Sequence, residues 1–286
     1  MHDAGAPIGA TSTSMPNKSV RAGGRAIAPV MPPDRHLSEV FIPNAAQVGD
    51  ALALLRSLPN NCSPLVFFDP QHRGVLDHLQ FGNEGARQRG RARLPAMSED
   101  YIDEACREIA RVLVPSGYLM RWVDTFCLCE GHHLRIADAF KPVDLVAWDN
   151  LRLGMGKRTR RRGDYLLVLQ KPPIKAGSTW RDHAIPSRWV EKVDRAAHPH
   201  IKPIGLITRL IAATTMPGDL VVDPAAGSFA VMHAAHKLGR EFIGCDLILP
   251  SDSPTNRKFR PIRNQPRTAS NSSNRDLLSG APLSQP

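Results

Sequence analysis

The stretch Asp219-Leu-Val-Val-Asp-Pro-Ala-Ala-Gly-Ser228, followed after a helical segment by Phe242-Ile-Gly-Cys-Asp246, decides the fold of this chain. Apolar residues stopped by an acid, then a turn of small residues opening a helix, read as a buried parallel strand entering a crossover. Small residues in such a turn let a ligand approach the backbone and meet a helix N-terminus. The acid that ends the next strand, Asp246, suits hydrogen bonds to ribose hydroxyls. Alone, the unit is equally an ordinary strand, turn and helix with an incidental acid.

A second strand end lies far upstream. Leu65-Val66-Phe67-Phe68 is a continuous apolar run stopped by Asp69-Pro70. Ligands of open α/β sheets bind beyond the carboxyl ends of the strands, so Asp69 is expected to project into the same crevice as Asp223. By itself, Asp-Pro after a strand is a turn. Periodicity predicts helices over 45–58, 98–113, 203–214 and 229–238, with Ser98 capping the second and Pro203 opening the third. Further strands are predicted over 118–123, 165–169, 220–222 and 242–245. This alternation predicts an α/β fold with a mostly parallel sheet and helices on both faces. Residues 1–36 and 251–286 are rich in small and polar residues and read as disordered, which leaves one domain over 37–250.

Composition narrows the partners. The 286 residues carry 37 Lys and Arg against 27 Asp and Glu, a net charge of +10. Such a surplus favours a polyanion, because each neutralised phosphate releases condensed counterions; basic tails are the alternative source. No run is long and apolar enough to span a bilayer, and the N-terminus lacks a secretory pattern, so a cytoplasmic protein without membrane contact is expected. Five dispersed cysteines argue against a disulfide framework. Cys127-x-Cys129, with His132 and His133 beyond it, departs from zinc-ligand spacing, so buried structural cysteines and no metal are expected.

Taken together, the motifs resemble the permuted amino-methyltransferases of DNA, in which the catalytic motif precedes the cofactor motif. Gly49-Asp50-Ala51-Leu52 and Leu65–Pro70 match that family's "GDAL … DLVF-DPPY" beginning. Trp148-x(5)-Gly154-Met155-Gly156, with Arg160 and Leu166-Leu-Val-Leu after it, resembles its middle. His198-Pro199-His200-Ile201-Lys202-Pro203 resembles its "HP-x-x-KP" segment, and Asp223–Ser228 its "DPFAGSG". The resemblance covers about residues 40 to 247. It implies a Rossmann-like, seven-stranded methyltransferase fold, S-adenosylmethionine as cofactor, DNA as substrate, a restriction–modification setting and a possible homodimer.

The family roles carry over position by position. Asp69 and the Pro70 carbonyl would hold the target amino group, within a catalytic loop that continues through Gln71 and His72. Asp246 would contact the ribose of the cofactor and Asp50 its adenine amine. Asp223, Ala225, Gly227, Ser228 and Lys202 would line the methionine end. An Asp at the position of Asp69 is commoner in adenine-N6 enzymes and Ser in cytosine-N4 enzymes, which points to adenine. Cytosine-N4 or RNA methylation, or an impaired relative that only binds, are the alternatives. Two departures motivate the last of these. Gln71-His72 replaces the usual "PY", where an imidazole stacks on a base with less area than tyrosine. Phe229 replaces the family's second glycine and is expected to tighten the cofactor loop. DNA phosphates are expected to meet two basic runs, Arg87, Arg89, Arg91 and Arg93, and then Lys157, Arg158, Arg160 and Arg161. Recognition is expected from loops, above all 82–97, and from a base that is flipped or single-stranded.

Overall fold

A computed structural model of the chain describes residues 41–71, 97–154, 159–194 and 201–249. Seven strands form one sheet: β1 (Ser63–Phe68), β2 (Leu113–Val123), β3 (Lys141–Asp149), β4 (Gly163–Gln170), β5 (Arg188–Val190), β6 (Leu220–Asp223) and β7 (Glu241–Gly244). Their order across the sheet is β5-β3-β4-β2-β1-β6-β7. Only β4 runs against its neighbours; β1 pairs in parallel with both β2 and β6. The fold is the α/β, Rossmann-like, mostly parallel seven-stranded sheet expected.

Alternation along each strand sorts the core into two layers. Val66 and Phe68 of β1 face α1 (Ala51–Ser57) and α2 (Glu99–Val112). Leu65 and Phe67 face α4 (Ile204–Thr214) and α5 (Ala230–Lys237) on the other side. A short α3 (Thr125–Cys129) follows β2, capped by Asp124, whose Oδ1 accepts from the amides of Phe126 and Cys127. The crossover that leaves β1 therefore goes to one face and the one that leaves β6 goes to the other. Adjacent parallel strands whose connections diverge leave a crevice at their carboxyl ends. Asp69 and Asp223 stand at its two lips.

Several expected boundaries move, each for a local reason. The first helix begins at Ala51 and not at residue 45, because Asp50 caps it through Oδ1 to the amide of Ala53 at 3.0 Å. Residues before it are drawn into the sheet edge instead, where Val48 bridges Asp246. Ser98 caps α2 as expected, accepting from the Tyr101 amide. Strands β3 and β5 were not anticipated: the first half of β3 is exposed and lacks alternation, and β5 has three residues. Cys62, Cys106, Cys127 and Cys245 are buried as expected, but Cys129, at the outer end of α3, is exposed. Arg121 on β2 is fully buried, and its guanidinium nitrogens have no hydrogen-bond partner among the described residues. No helix among the described residues is long and apolar enough to cross a membrane.

Phe229 corrects an expectation. It adopts the left-handed backbone that a glycine would favour, at φ 55°, as the N-cap of α5. Its ring does not crowd the loop but turns into the core at 1% exposure, edge-on to Phe242 with ring centroids 6.4 Å apart. Left-handed strain of about 1–2 kcal/mol is thus outweighed by a buried aromatic whose removal costs about 3–5 kcal/mol. Phe229→Gly relieves the first and forfeits the second. The variant is expected to unfold at lower denaturant concentration than the parent, by a net of about 2 kcal/mol or more; an increase in stability in urea titrations would contradict this account.

Candidate active site

The crevice holds a cavity of about 400 Å³. Its apolar floor comes from the α4/α5 core layer, with Phe67 of β1, Trp122 of β2, Ile207 of α4 and Val231 of α5. Its polar wall is mostly acidic. Asp50, Asp69, Asp223 and Asp246 line it, against Lys202 as the single basic side chain among the described residues. Four carboxylates facing one ammonium favour a cationic ligand.

Each acid arrives by a different route. Asp223 ends β6, is almost wholly buried, and accepts from the Ala225 amide at 3.3 Å. Burial pushes its carboxyl well above the usual range, and neighbouring Asp69 and Asp246 add to that. Asp246 follows β7 and is held by two main-chain donors, Gly227 N–H to Oδ2 at 2.8 Å and Ile248 N–H to Oδ1 at 3.2 Å. The small-residue turn after β6 is thereby tied to the end of β7. Asp50 caps α1 and also accepts from the Tyr101 hydroxyl at 2.6 Å. Ala225, Gly227 and Ser228 line the cavity beside these acids.

Lys202 lines the same cavity as Asp223, Ala225 and Gly227, and it also makes contacts that its motif did not announce. Its Nζ lies 3.1 Å from Asp69 Oδ2 and 3.5 Å from Asp164 Oδ2, and 4.8 Å from the centre of the Trp122 ring. It therefore couples the two strand ends β1 and β4. Burial raises the Asp69 carboxyl, and Lys202 opposes the rise. For Asp164, burial is outweighed by Lys202 and Arg161, and its carboxyl sits below the usual range. Burial of Lys202 is likewise outweighed by the two carboxylates, which hold its ammonium above the ordinary lysine value.

Tyr101, Trp122 and Asp164 were missed from the sequence. Each acts through a partner distant along the chain, and no local pattern marks it. The other expected residues divide. Pro70 is buried directly after Asp69, and Gln71 lines the cavity. The Gln71 carbonyl accepts from the Met97 amide at 3.0 Å. His72, Arg87, Arg89, Arg91, Arg93, Lys157 and Arg158 lie outside the described residues, as do His198, Pro199 and His200. Of the second basic run, Arg161 pairs with Asp164 and Arg162 with Asp149 (3.0 Å), while Arg160 is exposed and donates to the Gly154 carbonyl.

Comparison with known proteins decides the family. Residues 98–249 match the family described as DNA methylase, the N6/N4 methyltransferases. The Type II methyltransferase M.HhaII of Haemophilus parahaemolyticus is 46% identical over 206 residues, which cover 71% of this chain and 90% of that protein. The chain belongs to the N6/N4 DNA methylase family. Solved structures agree on the fold. M1.HpyAVI in complex with S-adenosylmethionine is 17% identical, with a TM-score of 0.51 over 70% of this chain and 91% of its own. The cytosine-N4-specific PvuII DNA methyltransferase is also 17% identical, with a TM-score of 0.58 over 78% and 89%.

Members of this methylase family draw the methyl group from S-adenosylmethionine. The cavity fits that donor in kind: an acidic wall suits a sulfonium and an ammonium, and Asp246, at a strand end, suits ribose hydroxyls. The Lys202–Asp69 pair gives an expectation independent of turnover. Lys202→Met removes the group that opposes the rise of the Asp69 carboxyl, so Asp69 is expected to bind its proton at higher pH than in the parent. Lys202→Arg is expected to keep the parental value. Titration of labelled aspartate by NMR reads this directly, and an unmoved Asp69 in Lys202→Met would show that the pair is not coupled.

Proposed function

We propose that the chain methylates the exocyclic N6 amine of adenine in DNA. The observation that carries the reading is Asp69 at the end of β1, inside the cavity and held by Lys202 through Oδ2. An exocyclic amine is a poor nucleophile because its lone pair is delocalised into the ring. Asp69 Oδ1 and the Pro70 carbonyl accept its two N–H groups and localise that lone pair for in-line attack. This is stabilisation by acceptors already in place before the reaction. S-adenosylmethionine supplies the methyl group, as an electrophile on sulfur.

The other residues orient and bind. Asp246 holds the ribose hydroxyls while its own position is fixed by the Gly227 and Ile248 amides. Asp50, ordered by Tyr101 and by the α1 amides, receives the adenine amine of the donor. Asp223, Ala225, Gly227 and Ser228 surround the methionine end. Burial raises the Asp69 carboxyl and Lys202 opposes that rise, which favours the carboxylate; after transfer the proton shed by the amine passes to it. An aspartate at this place favours adenine, by the family resemblance. The target base must leave the helix or be single-stranded to bring its amine to Asp69 within the cavity.

Incubation with labelled S-adenosylmethionine and mixed-sequence DNA or RNA, then digestion to nucleosides, tests the proposal. The expected product is N6-methyldeoxyadenosine. N4-methyldeoxycytidine alone would overturn the choice of base, and label only in RNA the choice of polymer. No product under conditions where donor binding is demonstrated would overturn the enzymatic reading. Asp69→Ala is expected to lower the transfer rate by about a hundredfold or more with donor affinity nearly unchanged, since Asp69 faces the base. Collapse of donor affinity would remove Asp69 from that role.

A further inference from the structure

Beyond the cavity, the described parts of the connection from β3 to β4, residues 150–154 and 159–162, lie at the same edge of the sheet. β3 runs parallel to β1 through β2 and β4, so its carboxyl end at Asp149 lies on the side of Asp69. Asp149 pairs with Gly163, next to Asp164, which shares Lys202 with Asp69. The base of this hairpin is thus one residue away from the charge cluster of the candidate active site.

The first arm of the hairpin carries two apolar side chains into solvent. Leu151 is 52% exposed and Leu153 60%. More than half of each residue's surface stays exposed, yet the arm that bears them is held by several hydrogen bonds. The Asp149 carboxylate accepts from the Leu151 amide at 2.8 Å and is gripped by Arg162 and Arg188. Asn150, itself buried, accepts from the Arg152 amide at 2.9 Å. Main-chain bonds from Asn150 and Gly154 reach Arg162 and Arg161 on the return arm. Leu151 stands in the left-handed conformation at φ 60°, which a leucine rarely adopts, and that turns it out of the line of the strand. Around the pair, Arg152, Arg160 and Arg188 are exposed. Apolar side chains on a hydrogen-bonded arm beside exposed arginines match a polyanion with an apolar interior, and a stacked duplex is one.

We infer that Leu151 and Leu153 form a wedge that enters the DNA duplex at the gap from which the target nucleotide departs. The exposed arginines take the flanking phosphates, and the apolar pair fills the stack that the departing base has left. The inference rests on the methylation of a base in duplex DNA and adds to it the residues that hold the duplex open. Leu151 and Leu153 are positioning residues, since neither touches the reacting atoms.

The test separates wedge from catalyst. Leu151→Asn with Leu153→Ser removes the apolar surface, and asparagine tolerates the left-handed backbone, so the hairpin keeps its path. Two duplexes are compared, one fully paired and one with an abasic site opposite the target, where the target base has lost its partner. On the paired duplex, kcat/KM is expected to fall at least about tenfold. On the abasic duplex it is expected to stay within about threefold of the parent, because little remains to be opened. Equal activity on both, or an equal loss on both, would overturn the wedge. A fall in self-association by sedimentation, with paired-duplex activity unchanged, would assign the leucines to a contact between copies and overturn it too. Failure of the methylation reading looks different: the parent protein would then be inactive on both duplexes.

Discussion

Everything at the crevice depends on the seam between β1 and β6. These strands pair in parallel, Leu65 with Val221 and Val66 with Val222, and their outgoing connections leave for opposite faces of the sheet. Were both to leave for the same face, the carboxyl ends would be roofed by a helix and no cavity would open. Divergence leaves Asp69 and Asp223 facing across a gap that neither core layer fills. The apolar character of the strands is part of the same constraint. Their residues are buried on both sides, and the acids that follow or end them carry the polar wall of the cavity.

Putting carboxylates together is costly, and the structure distributes that cost. Asp50 and Asp246 are each satisfied by two donors, mostly main-chain amides, so they are held in place without a counter-charge. Asp223 has the Ala225 amide at 3.3 Å and is otherwise set by burial and its acidic neighbours. Asp69 alone of the four has an ammonium against it, and that ammonium is shared with Asp164. A cationic methyl donor completes the balance from outside the chain. An acidic wall of this kind directs binding energy at a charged reacting centre.

How far the residues alone foretold this varies with the range of the interaction. Strand ends are local events, so Asp69, Asp223 and Asp246 were legible, as was Ser98 as a cap. The start of the first helix was misplaced because apolar spacing over 45–58 continues a helical period, whereas Asp50 sets the boundary by capping and the preceding residues join the sheet edge. Strand β3 was missed because its exposed first half shows no alternation. Lys202 was read from its motif as lining the cofactor, and its grip on Asp69 is visible only once β1, β4 and the segment before α4 are brought together. Tyr101 on Asp50 is of the same kind. Phe229 shows the converse: a lost glycine announced strain correctly, but not that the ring would be buried against Phe242.

The order of the strands also governs how the chain can be made. β1 must pair on one side with β2, which follows it directly, and on the other with β6, which comes only after β3, β4 and β5. During synthesis the β6-facing edge of β1 is therefore bare for most of the time the domain takes to emerge. An unpaired, fully apolar parallel strand is a template for unwanted pairing, and non-local pairing is slow to form. Placing β1 ahead of the β6–β7 unit thus makes the nascent chain dependent on its last strands to close its own sheet, and gives chaperones that shield strand edges their longest task at β1.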